Sequence, residues 1–355
     1  MSANKRVYYA CKKAGIAPCG SESYTTIHGL QTLGITTSFN LEQVFEVGQL
    51  SIYENIENIP AVEVTLEKVV DGYAPIYTLA TQSPASSATL VGRSKGCCQL
   101  GVSIFADDVN STSGTPLTNL MLSGLYVSSV GYSVTTDGNA KESVTLVGND
   151  RVWTGTLTYG ESDLDSDLDN PKAITGSGGV NRREDVIFGS IGNVTLLPSE
   201  IPGINTSNQN IRGDDNNYAA HVQRIDIRTN LGREESFELG RKGQFDRYVR
   251  FPVEVTTEIG ILSVSGDMIS ASADGKYSEG GSCGTYNLTD QVIKLVMCEG
   301  LIVDCGTKNK LASVGITGGD AGGGNEEITY TYSNWNNMTV YHPDDPNWSV
   351  EGFSY

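Results

Sequence analysis

Residues 45–67 read FEVGQLSIYENIENIPAVEVTLE and residues 237–258 read FELGRKGQFDRYVRFPVEVTTE, so one pattern is written twice in this chain. Phe-Glu, an aliphatic residue and Gly open both copies. Pro60 follows Phe45 at the spacing with which Pro252 follows Phe237, and Val-Glu-Val-Thr-x-Glu then closes both, with Ala61 as one extra residue in the first. Upstream, TSFNLEQVFEVG (37–48) matches TNLGREESFELG (229–240) without gaps, which sets Phe39 opposite Leu231. A second block keeps the same order: SVGYSVTTDGNAKESVT (129–145) against SVGITGGDAGGGNEEIT (313–329). The first block is offset by 192 residues and the second by 184. Two collinear blocks point to an internal duplication, so the chain must solve the same burial problem twice.

The repeated pieces have the grammar of strands. The Pro-x-Val-Glu-Val-Thr element alternates Val inward with Glu and Thr outward, a half-buried strand opened by a proline. ITTSFNLEQVFEV and RIDIRTNLGREESFEL carry the alternating, β-branched pattern of long strands. YSVTTDGNAKESVTL predicts a hairpin with Asp137-Gly138 in its turn, and the counterpart turns through GGDAGGGN, where glycine permits positive φ. The 41 glycines suit strands joined by tight turns. TPLTNLMLSGL (115–125) is the one segment expected as a short helix. The resulting expectation is a mainly β chain of two tandem β-sandwich or barrel domains, 28–160 and 219–342. An amino-terminal arm (1–27), a polar inter-repeat segment (161–218) and a tail (343–355) lie outside them.

A net charge of −18 argues against a grip on nucleic-acid backbone, because such affinity comes largely from Lys and Arg displacing counterions. The opening MSANKRVYYACKKAG has no apolar run of signal-peptide length, and no stretch reaches membrane-spanning length. Synthesis in a cytoplasm, without a membrane anchor, is therefore expected. Seven cysteines, an odd number with no CxxC pair, predict mostly buried thiols rather than a disulfide framework or a zinc site.

Signals for catalysis are thin. His28, His221 and His342 stand apart from one another and read as surface or strand-edge histidines. GGDAGGGN lacks the Lys-Ser/Thr of a phosphate loop. Asp163, Asp165, Asp167 and Asp169 have the spacing that opens a calcium loop. Leu168 stands where such a loop needs glycine, and Ile174 where it needs Glu, so a solvated acidic linker is the expected outcome. No enzyme, metal or cofactor is expected. The two copies differ in charge between FE[VL]G and the proline: Glu54 and Glu57 in the first, Arg241, Lys242, Arg247 and Arg250 in the second. One reading is drift of two solvated loops; the sharper one is acid meeting base between subunits.

TDGNAKESVTLVGND (136–150), RIDIRTNLGREESFELG with FPVEVT (224–256) and the Gly-rich turn before EEITYTYSNWN (326–336) resemble tail tube proteins of tailed bacteriophages. The resemblance covers most of both repeats. It implies a sandwich or barrel domain, usually with one helix, whose inner sheets join around a ring. Rings, usually of six such domains, stack into a hollow virion tube through which double-stranded DNA passes without specific binding. A duplicated chain resembles the fused members, so three chains would close one ring with pseudo-six-fold symmetry. The implied partners are further copies, a tail terminator, a baseplate or tip, and a sheath where one exists. Such a subunit is made in the bacterial cytoplasm and ends in the tail.

Physics is consistent with that picture. Head-to-tail interfaces close into rings when their rotation permits, and paired edges remove exposed strand edges. A negative wall keeps phosphates from sticking. Glu42, Glu46, Glu234 and Glu238 are the expected lumen-facing residues, as outward positions on long strands. Loops 48–60 and 240–252, with the amino-terminal arm, are expected at ring-to-ring contacts. Two rivals stand beside this reading. One is another virion β-sandwich (fibre, adhesin or decoration protein) binding host glycans through its tyrosines and Trp153, Trp335 and Trp348, although core packing is expected to occupy most of those rings. The other is a glycan hydrolase using two carboxylates, a signal that 42 acidic residues make almost weightless.

Overall fold

A computed structural model describes residues 4–21, 24–107, 115–154, 179–187, 190–191, 194–198, 200–201, 221–263, 266, 269, 288–298, 300–319, 323–343 and 345. The chain begins with β1 (Lys12–Pro18) and β2 (Thr25–Thr26), followed by β3 (Leu30–Ser38), β4 (Leu41–Phe45), β5 (Ile52–Glu57) and β6 (Ala61–Val69). Two short helices, α1 (Ile76–Ala80) and α2 (Leu90–Arg93), precede β7 (Cys98–Ile104), β8 (Thr118–Thr135), β9 (Lys141–Gly148) and β10 (Val152–Thr154). Three two-residue strands come next: β11 (Val186–Ile187), β12 (Ser190–Ile191) and β13 (Val194–Thr195). The second half holds β14 (His221–Asn230), β15 (Arg233–Ser236), β16 (Asp246–Val249), β17 (Glu254–Leu262), β18 (Lys294–Met297), β19 (Ile302–Asp304), β20 (Lys310–Thr317), β21 (Glu327–Trp335) and β22 (Thr339–Tyr341). The protein is mainly β, in multiple sheets, as expected.

The duplication is legible in strand order. The first half pairs β3-β6-β9-β8 and the second β14-β17-β21-β20, antiparallel throughout. β8 also pairs with β14, so the two four-stranded sheets run on as one. Among the described residues, β3 and β20 pair on one side only and form the two ends of this double sheet. Even the irregularities repeat. β3 and β14 each bulge at a glutamine, Gln31 and Gln223, 192 residues apart. β8 and β20 bulge at Ser128 and Ala312, 184 apart. These offsets are those of the sequence blocks.

The return strands slip. Thr37 faces Val62 while its equivalent Thr229 faces Val255, so Val62 corresponds to Val255 and not to the sequence-matched Val253. Likewise Tyr132 faces Glu142 and its equivalent Ile316 faces Ile328, so Glu142 corresponds to Ile328 rather than Glu326. Slips of two residues leave each strand's buried face unchanged, which is why the alternation conceals them.

One face of the double sheet feeds a single hydrophobic cluster that runs through both halves, with Leu66, Tyr132, Ile227, Ile259 and Tyr330 among its members. The rest of that core comes from a second layer. There the first half of β8 continues into β7, β1 and β2 and also pairs β10, while β11-β18-β19-β22 form a small sheet. The opposite face of the double sheet is polar.

Several expectations are corrected. Residues 118–125 form the first half of β8 rather than a helix: Leu120 and Leu122 alternate into the core. A short apolar run at mixed spacing fits either element, and pairing with β7 decides it. The long strands of both repeats break at Asn40 and Gly232, equivalent positions that both adopt positive φ. Residues 12–18, expected in an arm, form a buried strand seven residues long paired with β7. In the polar inter-repeat segment, Leu196, Leu197 and Ile201 are buried. Asp345, in the expected tail, forms a fully buried ion pair with Arg93 at the end of α2. Cys19 and Cys97 form a disulfide 78 residues apart. Cys11, Cys98 and Cys305 are the buried thiols expected, and burial pushes the last two up to about 12. Cys283 lies outside the described residues.

Candidate functional site: the sheet ends and their hairpins

The chain contains one completed repeat-to-repeat junction. Seven residue pairs, from Thr135–Arg224 to Ser129–Asn230, join β8 to β14. On the core side Tyr132 faces Ile227, and they are 2% and 0% exposed. Where pairing ends, the Leu231 amide donates to the Ser128 carbonyl at 2.7 Å and its side chain is 2% exposed. The β15–β16 hairpin then leans onto the first half. Arg233 Nε donates to the Val127 carbonyl at 2.7 Å, and Nη1 to the Ser94 carbonyl at 2.6 Å. Its guanidinium lies 5.3 Å above the Tyr126 ring. Burial pulls Arg233 down to about 10. Arg247, nearly buried, donates to Asn149 Oδ1 at 2.8 Å and pairs with Glu235.

The same positions at the free ends are uncovered. Phe39, the equivalent of Leu231, is 64% exposed, and Ile316, the equivalent of Tyr132, is 53% exposed. Leu41 stands at the position of Arg233 and is 62% exposed; Trp335 stands at that of Asn149 and is 58% exposed. Scattered exposed apolar residues are ordinary. Here apolar residues are exposed at positions whose repeat equivalents lie at the internal junction, buried for Leu231 and Tyr132 and half-buried for Arg233 and Asn149.

Both hairpins also expose their tips. Val47 and Leu239 are fully exposed in the FE[VL]G turns, and Phe45 and Phe237 beside them are more than half exposed. Gly48 and Gly240 hold the left-handed conformation the turns require, at φ 96° and 86°. The best-matched piece of the duplication is therefore an apolar turn in solvent.

The structure places the sequence candidates as follows. Glu42 and Glu234 lie on β4 and β15, and Glu46 and Glu238 in the tips beyond, all on hairpins and none on the polar face of the double sheet. Glu234 accepts from the Tyr248 hydroxyl at 2.9 Å and meets Arg250 at 3.4 Å; Glu238 meets Arg241 at 3.6 Å. Arg247 is committed within the chain, whereas Glu54 and Glu57 on β5 are exposed. Lys242 sits in the turn between β15 and β16. Asp163, Asp165, Asp167 and Asp169 lie outside the described residues, as does Trp348. Among the described residues no group of three or more His, Cys, Asp or Glu converges as a metal site, and no helix is long and apolar enough to cross a membrane. Trp153 is half exposed with Arg151 above its ring at 5.7 Å, so core packing does not account for it.

Sequence reasoning passed over the polar face itself. It carries Glu63 and Glu67 on β6, Lys141 on β9, Arg224, Asp226 and Arg228 on β14, Glu258 on β17 and Glu327 on β21. The cations are matched by carboxylates: Lys141 to Glu67 at 2.8 Å, Arg224 to Glu327 at 3.1 Å and Arg228 to Glu258 at 3.3 Å. The alternation that named the buried residues named these as well.

A buried polar group lies under the first repeat. Glu142 accepts from the Ile76 and Tyr77 amides at 2.6 and 3.0 Å and from the Tyr132 hydroxyl at 2.9 Å. It thereby caps α1, whose N-cap Pro75 has no side-chain acceptor. Burial raises the Glu142 carboxyl above its ordinary range, against those hydrogen bonds and Lys68. Lys68 donates to the Tyr73 and Ala74 carbonyls at 3.2 and 3.1 Å and pairs with Asp71 at 3.0 Å. His342, expected at the surface, is buried, and burial followed by Lys68 pulls it down to about 3. His28 stacks on Tyr73 at 3.9 Å.

No protein-family model matches the chain, and no curated protein matches its sequence. Among solved structures it is similar to a chain of the anti-feeding prophage baseplate, 6-fold symmetrised, at TM-score 0.31 and 14% identity, over 44% of this chain and 98% of that one. It is also similar to a chain of the anti-feeding prophage tube terminating cap, at TM-score 0.32 and 10% identity, over 44% and 95%.

Proposed function

We propose that this protein is a tail tube subunit, and that its copies join end to end through β20 of one and β3 of the next. The observation that carries the reading is the internal β8–β14 junction. There the end strand of one repeat pairs with the end strand of the other, and among the described residues β20 and β3 each keep one edge unpaired. Transferring its register sets Ser313 against Ser38 and Ile316 against Ile35 of the next copy. Three chains then give a closed antiparallel wall of six repeats. At about 4.8 Å per strand, eight strands per chain make a circumference of roughly 115 Å before tilt, enough to leave an axial channel. The second layer occupies the core side, so the polar face lines that channel with Thr, Ser and charge-matched side chains. The apolar hairpin tips point out of the ring and meet the next one along the axis. The role is structural, without catalysis.

The test is a pair of cysteines. Ser38→Cys with Ser313→Cys in one chain should yield, on oxidation, a covalent trimer on non-reducing gels, with each single variant uncrosslinked. Electron microscopy of the same sample should show hollow rings or tubes. Assembled particles without the cross-link, or fibres and solid oligomers without a channel, overturn the reading.

A further inference from the structure

The internal junction is a template for the open one, because β8 maps onto β20 and β14 onto β3 residue by residue. Pairing carries over directly; the chemistry around it does not. Inside the chain, the seam is clamped by Arg233 on the Val127 and Ser94 carbonyls and by Arg247 on Asn149. At the free ends Leu41 replaces Arg233, Asn55 replaces Arg247, and Trp335 replaces Asn149. Tyr126, which lies under the Arg233 guanidinium, is replaced by Lys310, which a cation would repel. The change is coordinated on both sides: where the cations are lost, their acceptor and their aromatic platform are lost too. Phe39 in place of Leu231 adds apolar surface at the point where the internal seam buries its side chain completely.

We propose that the surface formed by Phe39 and Leu41 at one end, and by Ile316 and Trp335 at the other, is an apolar docking seam for a second copy of this chain. Ring closure is then driven by burial rather than by charge. The inference rests on the ring reading above and deepens it: each ring alternates three arginine-clamped seams, preorganised within chains, with three apolar seams formed on assembly. The clamp needs no encounter between molecules, so it tolerates desolvated cations. The seam that must form in solution has no arginine clamp to desolvate, and its Lys310 is exposed and already paired with Asp290 at 3.0 Å.

The experiment uses the full chain, with self-association followed by analytical ultracentrifugation and electron microscopy at low and high sodium chloride. Wild-type association should hold or strengthen in high salt, since screening weakens only charge-driven contacts. Phe39→Asp and Ile316→Asp should each weaken association about a hundredfold, the scale of one lost large apolar contact. Their monomer melting should be unchanged. Leu41→Arg, the residue that the other repeat already holds at this position, should weaken it about tenfold by the same arithmetic. Variants that assemble like wild type, or a steep loss of wild-type association with salt, overturn the seam. If the Ser38→Cys/Ser313→Cys cross-link still forms in that case, the ring stands without it; if the cross-link fails, ring and seam fall together.

Discussion

The two repeats share a frame and fill it differently. At three matched positions, all buried in the first repeat, the first holds Lys68, Tyr132 and Glu142; the second holds Ile261 and Ile328, which are buried, and Ile316, which is exposed. The polar set exists because α1 packs there and needs acceptors for its first amides; no helix forms at the equivalent place among the described residues of the second repeat. The hairpins contrast the other way. β15–β16 is tied down by two arginines, whereas β4–β5 stands free with both faces exposed. A duplicated fold thus keeps its pairing pattern while each copy adapts to its neighbours: helix and chain end for one core, junction or solvent for each hairpin.

Acid should separate the two cores most strongly. His342 lines the same small cavity as Lys68, Tyr132 and Glu142. Its folded value lies near 3, below the ordinary 6.5, so the unfolded chain takes up the proton first. The contribution of His342 should be complete above about pH 6.5 and be lost as pH falls toward about 3, by on the order of 4 kcal/mol. His342→Leu should flatten that decline in denaturant titrations at stepped pH; an unaltered slope would remove His342 from the account.

The hairpins give the next contrast. Arg247→Ala empties a buried side-chain position and removes the partner of a half-buried Asn149 and a solvent-reachable Glu235, and should cost about 1–2 kcal/mol. Asn55→Ala, its counterpart in the free hairpin, should stay within about 0.5 kcal/mol in the unassembled chain. Equal costs would mean that the two hairpins are held alike.

Glu142→Ala should cost about 2–3 kcal/mol by stranding two amides and a hydroxyl, with Glu142→Gln closer to 1 kcal/mol. Because burial raises the folded carboxyl, this group holds its proton more tightly folded than unfolded. Its contribution therefore falls as pH climbs past the ordinary carboxylate value of 4.5, and Glu142→Gln should remove that part of the pH dependence. Smallest in stability, Val47→Ser and Leu239→Ser should shift monomer unfolding by no more than about 0.5 kcal/mol. They should nevertheless shorten or abolish tubes while leaving single rings, as counted in micrographs.

The repeat was readable in the sequence within the two aligned blocks, at the ends of β3 and β14 and along β8 and β20, whereas the matching bulges lie outside those blocks and emerge only from the pairing. For β6 and β9 the matching Val-Glu-Val and Glu-x-x-Thr letters misled, because a two-residue slip preserves alternation. Phe39 opposite Leu231 is in the alignment, but the contrast between them, one exposed and the other buried at the internal junction, is not. Arg247 read as a surface charge because its partner Asn149 lies 98 residues away. Glu42, Glu46, Glu234 and Glu238 lie on the hairpins rather than on the sheet's polar face because Asn40 and Gly232 break strands that looked continuous.

Local pattern, then, determined that the chain is β-rich, that it is duplicated, and which residues of each strand turn inward. Alternation and turn chemistry are properties of neighbouring residues. Tertiary structure alone decided that the two sheets run on as one, that β1 and Asp345 belong to the core, and that among the described residues β3 and β20 each pair on one side only. Those outcomes depend on which distant strand satisfies a given row of backbone amides and carbonyls, and no local stretch encodes that choice.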